Sequence, residues 1–417
     1  MNIDQAREQE LYQLLLKHAP SSEHHLWQSN LSVSACSSVI YSHRGEQILD
    51  FRSGGFGYQH AAIVEKLDRQ LDKVGLSSRL LISRYLAELV YSLAKTAPEG
   101  LELSYICNSS GEAFEGAIKL AKGLHPERNK IVVIADIEAS TLTYGCLLRG
   151  LGAQVLSSYE IEVVSVDDSN VDQLRSTIDE QCLCVVFDVL NRRQGHYQLP
   201  SPYLQTCMRE RAAQVGALTI ASESSSGFVV AGSLYASEQL NFVPDVVVLG
   251  KQIDASLMPL GAYITKTSIN DKVYGRKNPT LHGSTTAANP LACLAGCAAL
   301  ALMQQENYVG HHRSMAKMAD AYLAARRKQF CLPINWHFQG SLLSLQVQEC
   351  LSPPQLQELE LSCERHGLLI ERSTSYFYFK PMLTVSESEW VAALDIFLSC
   401  LKRELSNSNT ATREFEA

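Results

Sequence analysis

The 417-residue chain is 46% hydrophobic and 19% charged, which excludes a disordered chain and suits a large α/β domain with a smaller partner, or two to three domains. Its net charge of −8 comes from interspersed acidic and basic residues, so no nucleic-acid partner is expected. No apolar run approaches the roughly 20 residues of a membrane span, so no membrane partner is expected either.

The first 19 residues, MNIDQAREQELYQLLLKHA, are charged and amphipathic and lack the apolar segment of a signal peptide. They are expected to form a surface helix of a cytoplasmic protein. From about residue 100 to 265, short β-branched runs alternate with helical patterns. The expected strands are Leu103–Cys107, Lys130–Ile134, Gln154–Leu156, Cys182–Phe187, Ala217–Ala221, Val246–Leu249 and Ala262–Ile264. The segments Glu112–Gly123 and Tyr203–Val215 read as helices between them. Such alternation predicts a mostly parallel sheet covered on both faces. A long Ala- and Leu-rich helix is expected from Asn289-Pro290 to about Lys328. Beyond it, strands at Leu342–Gln348 and Tyr376–Phe379 mix with helices at Pro354–His366 and Glu387–Glu404, which predicts a smaller α+β domain. The polar tail from residue 406 to 417 is expected to be loose.

Twelve cysteines are scattered through apolar stretches and read as reduced, buried thiols. Cys182 and Cys184, two apart on a strand, are expected to share a face. Neither these nor the twelve histidines form a metal constellation.

Three segments carry chemistry. Asn108-Ser109-Ser110-Gly111-Glu112 follows a strand and opens a helix, where backbone N–H groups and the helix dipole favour an anion. A plain capped turn would read the same way. Lys251 stands after Gly250 at the end of the apolar strand Val247–Leu249, as a Schiff-base lysine in a desolvated cleft would, or as a lysine reaching solvent would. The hydroxyl-rich run Gly283-Ser284-Thr285-Thr286 precedes the helix that begins at Asn289-Pro290.

In this order, the three resemble the motifs of the class III pyridoxal-phosphate aminotransferases of fold type I, closest to the putrescine and ornithine branch. Further stretches add to the likeness. Gly54-Gly55-Phe56-Gly57 looks like the approach to the active-site floor, and Leu80–Leu93 like the interface helix that follows. Asp188–Pro200, Gly216–Gly232, Pro244–Ala262 and Gly283–Cys293 resemble successive family blocks. The resemblance implies a large domain over 61–300 built on a seven-stranded sheet, a small domain from 1–60 and 301–405, and a homodimer with shared active sites. It implies pyridoxal phosphate held on Lys251 as a Schiff base and cupped by Ser110 and Gly111, with Thr285 reaching the phosphate in the partner subunit.

Several positions depart from the family. Ser222 stands where the family carries the Asp that holds the ring nitrogen protonated, and Ser225 where a Gln meets the ring hydroxyl. Ile137 and Glu138 stand where an aromatic residue and a His cover the ring. Tyr378 takes the place of the carboxylate-clamping Arg, and Arg193 that of its acidic gate. Three readings follow: an aminotransferase acting on an amine or amino acid, a repurposed pyridoxal-phosphate enzyme such as a lyase or decarboxylase, or a degenerate homologue with a binding or regulatory role.

Overall fold

The computed structural model describes residues 5–20, 32–42, 44–78, 81–135, 137–138, 141–151, 160–166, 169–275, 278, 281–348 and 351–415. The central sheet has seven strands in the order Leu103–Cys107, Gly261–Thr265, Val246–Leu249, Leu218–Glu223, Cys182–Asp188, Lys130–Ile134 and Glu162–Val166. All run parallel except Gly261–Thr265, which is antiparallel to both of its neighbours. Continuous apolar runs such as Val246–Leu249 arise because both faces are buried. Val132, Ile134, Val247 and Leu249 enter one core, and Ile131, Val133, Val246 and Val248 the other. The helix Ser110–Leu124 covers the second face. The helices Arg84–Thr96, Pro202–Val215 and Pro290–Gln305 cover the first.

Six of the expected strands are present, with ends shifted by up to two residues. The seventh is Glu162–Val166, whose exposed and half-buried edge positions gave no apolar run to read. The expected strand Gln154–Leu156 lies outside the described residues. Cys182 and Cys184 fall in different cores. Lys130 and Ile131 pair with Cys182 and Cys184, so Leu183 is an extra residue that shifts the register and breaks the strict alternation.

The long helix expected from Asn289 is two helices, Pro290–Gln305 and Tyr308–Phe330. Asn307 separates them. It takes a left-handed conformation at φ 48°, and its side chain accepts from the Gly310 N–H, capping the second helix. The last helix runs from Glu387 to Phe415, into the stretch expected to be loose. No Gly or Pro interrupts it, so nothing in the sequence stops the helix.

A second sheet, Ile334–Gln339, Leu342–Val347, Tyr376–Phe379 and Glu371–Ser373, is wholly antiparallel. Its core is aromatic: Phe51, Phe377, Phe379, Trp390 and Phe397 are fully buried. The N-terminal strands Ser32–Cys36, Val39–Ser42 and Gln47–Asp50 form a third sheet, which Leu368–Leu369 joins in parallel.

Two glycines let the site assemble. A Cβ on Gly261 would lie 2.2 Å from the Ser109 carbonyl carbon and 2.4 Å from the Ser110 nitrogen. A Cβ on Gly250 would lie 2.7 Å from the Ser110 Cβ. The Asn108–Gly111 turn can therefore sit directly on the ends of two strands. We expect Gly261→Ala to push this turn outward and to lower stability by roughly 1–3 kcal/mol, read as a lower urea midpoint. An unchanged midpoint would mean that the contact yields freely.

Candidate active site

Lys251 follows the buried strand Val246–Leu249 and Gly250, so its backbone is fixed beside Ser110. Its Nζ donates to the Ser53 carbonyl at 2.7 Å. Burial, with the nearby Lys380 cation, holds the amine below its ordinary pKa, which favours the neutral, nucleophilic form. The loop beyond is strained: Gln252, Ala255 and Ser256 have φ of 70°, 56° and 52°. The Ser256 hydroxyl anchors it by accepting from the Phe56 and Gly57 N–H groups at 3.0 and 3.4 Å. The Gly54–Gly57 segment thus lies against the lysine loop.

Ser110 and Gly111 form the first turn of the helix Ser110–Leu124. Ser109 is its N-cap, accepting from the Glu112 N–H at 3.1 Å. Among the described residues, the N–H groups of Ser110 and Gly111 have no partner, as the start of a helix leaves them. Asn108 ties this turn to the loop after His282. Its Nδ2 donates to Ser284 Oγ at 2.8 Å, and its Oδ1 accepts from Thr286 Oγ1 at 3.4 Å. Thr285, between those two, is exposed.

Ser222, next to the end of the strand Leu218–Glu223, is in register with Asp188 on one side and Val248 on the other. Its hydroxyl is 3.2 Å from that of Ser224. Ser225 Oγ donates to Glu138 Oε2 at 2.6 Å, and the Glu138 N–H donates to Asp188 Oδ2 at 2.7 Å. Ile137 is buried in the core beneath. Burial pushes the Asp188 carboxyl up to about 7. Burial pushes Glu138 up too, but Lys380, Ser225 and Arg192 outweigh it and hold this carboxyl below its ordinary value. Glu223 turns away and is structural, accepting from the Ala236 and Ser237 N–H groups at 2.7 and 2.8 Å.

A pocket of about 340 Å³ opens above Glu138 and Asp188, walled by Asn191, Arg192, Tyr376 and Tyr378. A narrow space of about 20 Å³ continues it past Ser222 and Ser225 to Lys380. Tyr378 lines this pocket, whereas Arg193 does not. Arg193 Nη1 donates to the Gln198 carbonyl at 2.6 Å. Arg192 faces the pocket instead, because successive strand residues point to opposite faces and a one-residue offset changes the face. Its guanidinium lies 4.1 Å over the Tyr378 ring. Its Nη1 is 2.7 Å from Glu371 Oε1, and its Nη2 donates to the Tyr197 hydroxyl at 3.2 Å and lies 3.5 Å from Glu138 Oε1. The other Glu371 oxygen holds Lys380 Nζ at 2.8 Å. Burial raises the Glu371 carboxyl, but Arg192 and Lys380 bring it down to about 2.

Glu138, Ser222, Ser225 and Tyr378 thus line one cleft, and the Lys251 amine lies near enough to Glu138 and Lys380 to feel their charges, with Ser110 against the Gly250 backbone. Sequence reasoning missed Arg192, Glu371, Lys380, Tyr197 and the buried state of Asp188. One signal was available: Tyr376, Tyr378 and Lys380 follow a two-residue period and share a face. Glu371 pairs with Tyr378 across the hairpin, a register no sequence pattern displays.

The raised Asp188 value has a consequence for stability. The folded state keeps this proton up to about 7, whereas an unfolded Asp loses it near 3.8. Between those values the native state binds more protons, so the Asp188 contribution to stability falls as pH rises, by about 1.4 kcal/mol per pH unit, and is flat above. Asp188→Asn, which keeps an acceptor for the Glu138 N–H, should make the denaturation midpoint decline less between pH 4 and 7. An identical pH profile in the variant would show that Asp188 is ionised in the fold.

The residues fit pyridoxal phosphate at two ends. The depressed Lys251 amine suits its aldehyde, and the open Ser110 and Gly111 N–H groups suit its phosphate. At the ring they offer hydroxyls and Asp188. The family model for class III aminotransferases matches residues 24–137 and 155–401. The fold is shared with an acetylornithine aminotransferase from Elizabethkingia anophelis at 20% identity and TM-score 0.75, covering 95% of this chain and 99% of that one. It is shared with an ornithine aminotransferase from Toxoplasma gondii at 18% identity and TM-score 0.81, covering 95% of each chain. A transaminase from the marine bacterium Virgibacillus matches at 16% identity and TM-score 0.82, over 95% of this chain and 99% of that one. The architecture is that of fold type I, and the chain belongs to the class III aminotransferase family.

Proposed function

We propose that this protein is a pyridoxal-phosphate-dependent aminotransferase-like enzyme that carries its cofactor on Lys251 and acts on a small amine or amino acid. The observation that carries the reading is the Lys251 amine: partly buried, held below its ordinary pKa, and set beside a helix N-terminus with two unpaired N–H donors. When bound, the cofactor supplies an electron sink for the substrate carbon that bears nitrogen. The chain does the rest. Ser110 and Gly111 hold the phosphate, Ile137 packs beneath the ring site, and the Lys251 Nζ serves as the base that takes and returns a proton. The hydroxyl of Ser222, already beside Ser224, favours a second reading in which a weaker sink directs the chemistry to lyase or decarboxylase reactions.

A homodimer belongs to the same reading. Leu81, Ile82 and Tyr91 are exposed, Ile82 at 91%, on the stretch Leu80–Leu93 that resembles the family's interface helix, and Leu71, Val74 and Leu76 are exposed just before it. In such a dimer Thr285 stands free to reach the neighbouring site. Sedimentation at micromolar concentration should give twice the chain mass, and a monomer would remove the shared-site part of this reading.

Purified protein supplied with pyridoxal phosphate should absorb in the near-UV or visible range, and borohydride should fix the cofactor to the peptide containing Lys251. Lys251→Ala should lose the adduct while keeping its far-UV circular dichroism. An adduct on any other lysine would overturn the assignment.

A further inference from the structure

The charges on the pocket wall are already matched to one another. Arg192 is held by Glu371 at 2.7 Å and faces Glu138 at 3.5 Å, and Glu371 holds Lys380 at 2.8 Å with its other oxygen. Two cations therefore stand against two anions, and the guanidinium face is covered by Tyr378 at 4.1 Å. Among the described residues, a carboxylate entering this space meets Glu138 and Glu371 and no unmatched cation. To reach Arg192 it must displace Glu371, and that displacement strands Lys380 as well. Breaking a half-buried pair such as this leaves a charge with less compensation. The walls also carry the rings of Tyr376 and Tyr378, stacked at 6.5 Å, with Leu190 and Ile137 as further apolar lining and Asn191, Asp188, Ser373 and Thr374 as polar lining. Aromatic faces of this kind cover an apolar tail. Glu138, about half exposed, pairs with Arg192 only at 3.5 Å and keeps an open side toward an incoming ammonium group.

We propose that this pocket takes a primary amine with an aromatic or aliphatic tail and no carboxylate, and that Arg192, Glu371 and Lys380 together form the locked ion group that excludes α-amino acids. The Glu371 carboxyl, drawn down to about 2 by Arg192 and Lys380 against the effect of burial, stays ionised at any working pH, so the lock does not open by protonation. The inference deepens the reading of Lys251 as the cofactor lysine and rests on it.

The test compares phenethylamine with L-phenylalanine, which differ only by the carboxylate. Each is mixed in excess with the full-length, cofactor-loaded protein, and the loss of the lysine-bound absorbance is followed in a single turnover. Phenethylamine should react at least tenfold faster. Glu371→Gln, which frees the Arg192 fork, should shift the ratio toward L-phenylalanine by at least tenfold. The wild-type comparison stands by itself if that variant does not fold. Equal rates, or a faster reaction with L-phenylalanine, overturn the proposal. If borohydride places the cofactor on Lys251 but neither donor reacts, the amine assignment falls and the cofactor reading survives. If no cofactor is found on Lys251, both fall together.

Discussion

The site depends on the absence of two side-chain carbons. Gly250 and Gly261 end adjacent strands of the sheet, and the Asn108–Gly111 turn rests where their Cβ atoms would be. That contact sets the separation between the Lys251 backbone and the N-terminus of the helix Ser110–Leu124. Asn108 extends the same constraint to the loop after His282 through Ser284 and Thr286. Lysine, helix terminus and hydroxyl loop come from three distant parts of the chain, and one close packing of backbone on backbone brings them into register.

The opposite wall is organised by charge. Arg192 and Lys380 come from two different hairpins and share the carboxylate of Glu371. Glu138 meets the same group through Arg192 and, on its other side, accepts from Ser225. The wall at Arg192 and the turn at Ser225 are thus joined by one polar network. Asp188 sits at the join, accepting the Glu138 N–H next to Ser222.

Most of the sheet was legible because its strands are buried on both faces and so read as unbroken β-branched runs, as at Cys182–Phe187 and Val246–Leu249. The strand Glu162–Val166 was not, since an edge strand with exposed positions resembles a loop in sequence. The break at Asn307 was hidden by the helix-forming residues on either side. In the site, Lys251, Ser110 and Gly111 were legible because each follows a short local motif. Arg192 and Glu371 were not, because their roles follow from cross-strand register and from which face a side chain takes, and a single residue of offset reverses that. The same offset separates Arg193, the residue singled out from the sequence, from the one that meets the pocket.

The parallel pairing of Gln47–Asp50 with Leu368–Leu369 has a bearing on how the protein is made. The Phe51 N–H donates to Leu369, and the Phe51 carbonyl accepts from Lys380, two residues ahead of the Ser53 carbonyl that receives the Lys251 amine. A ribosome has passed residue 380 before both of these bonds can form. Until then the N-terminal strand has an open edge and Phe51 has no core to enter, while the seven-stranded sheet is already complete in the emerged chain. The lysine is built early, and the carbonyl that seats it is positioned among the last contacts of folding.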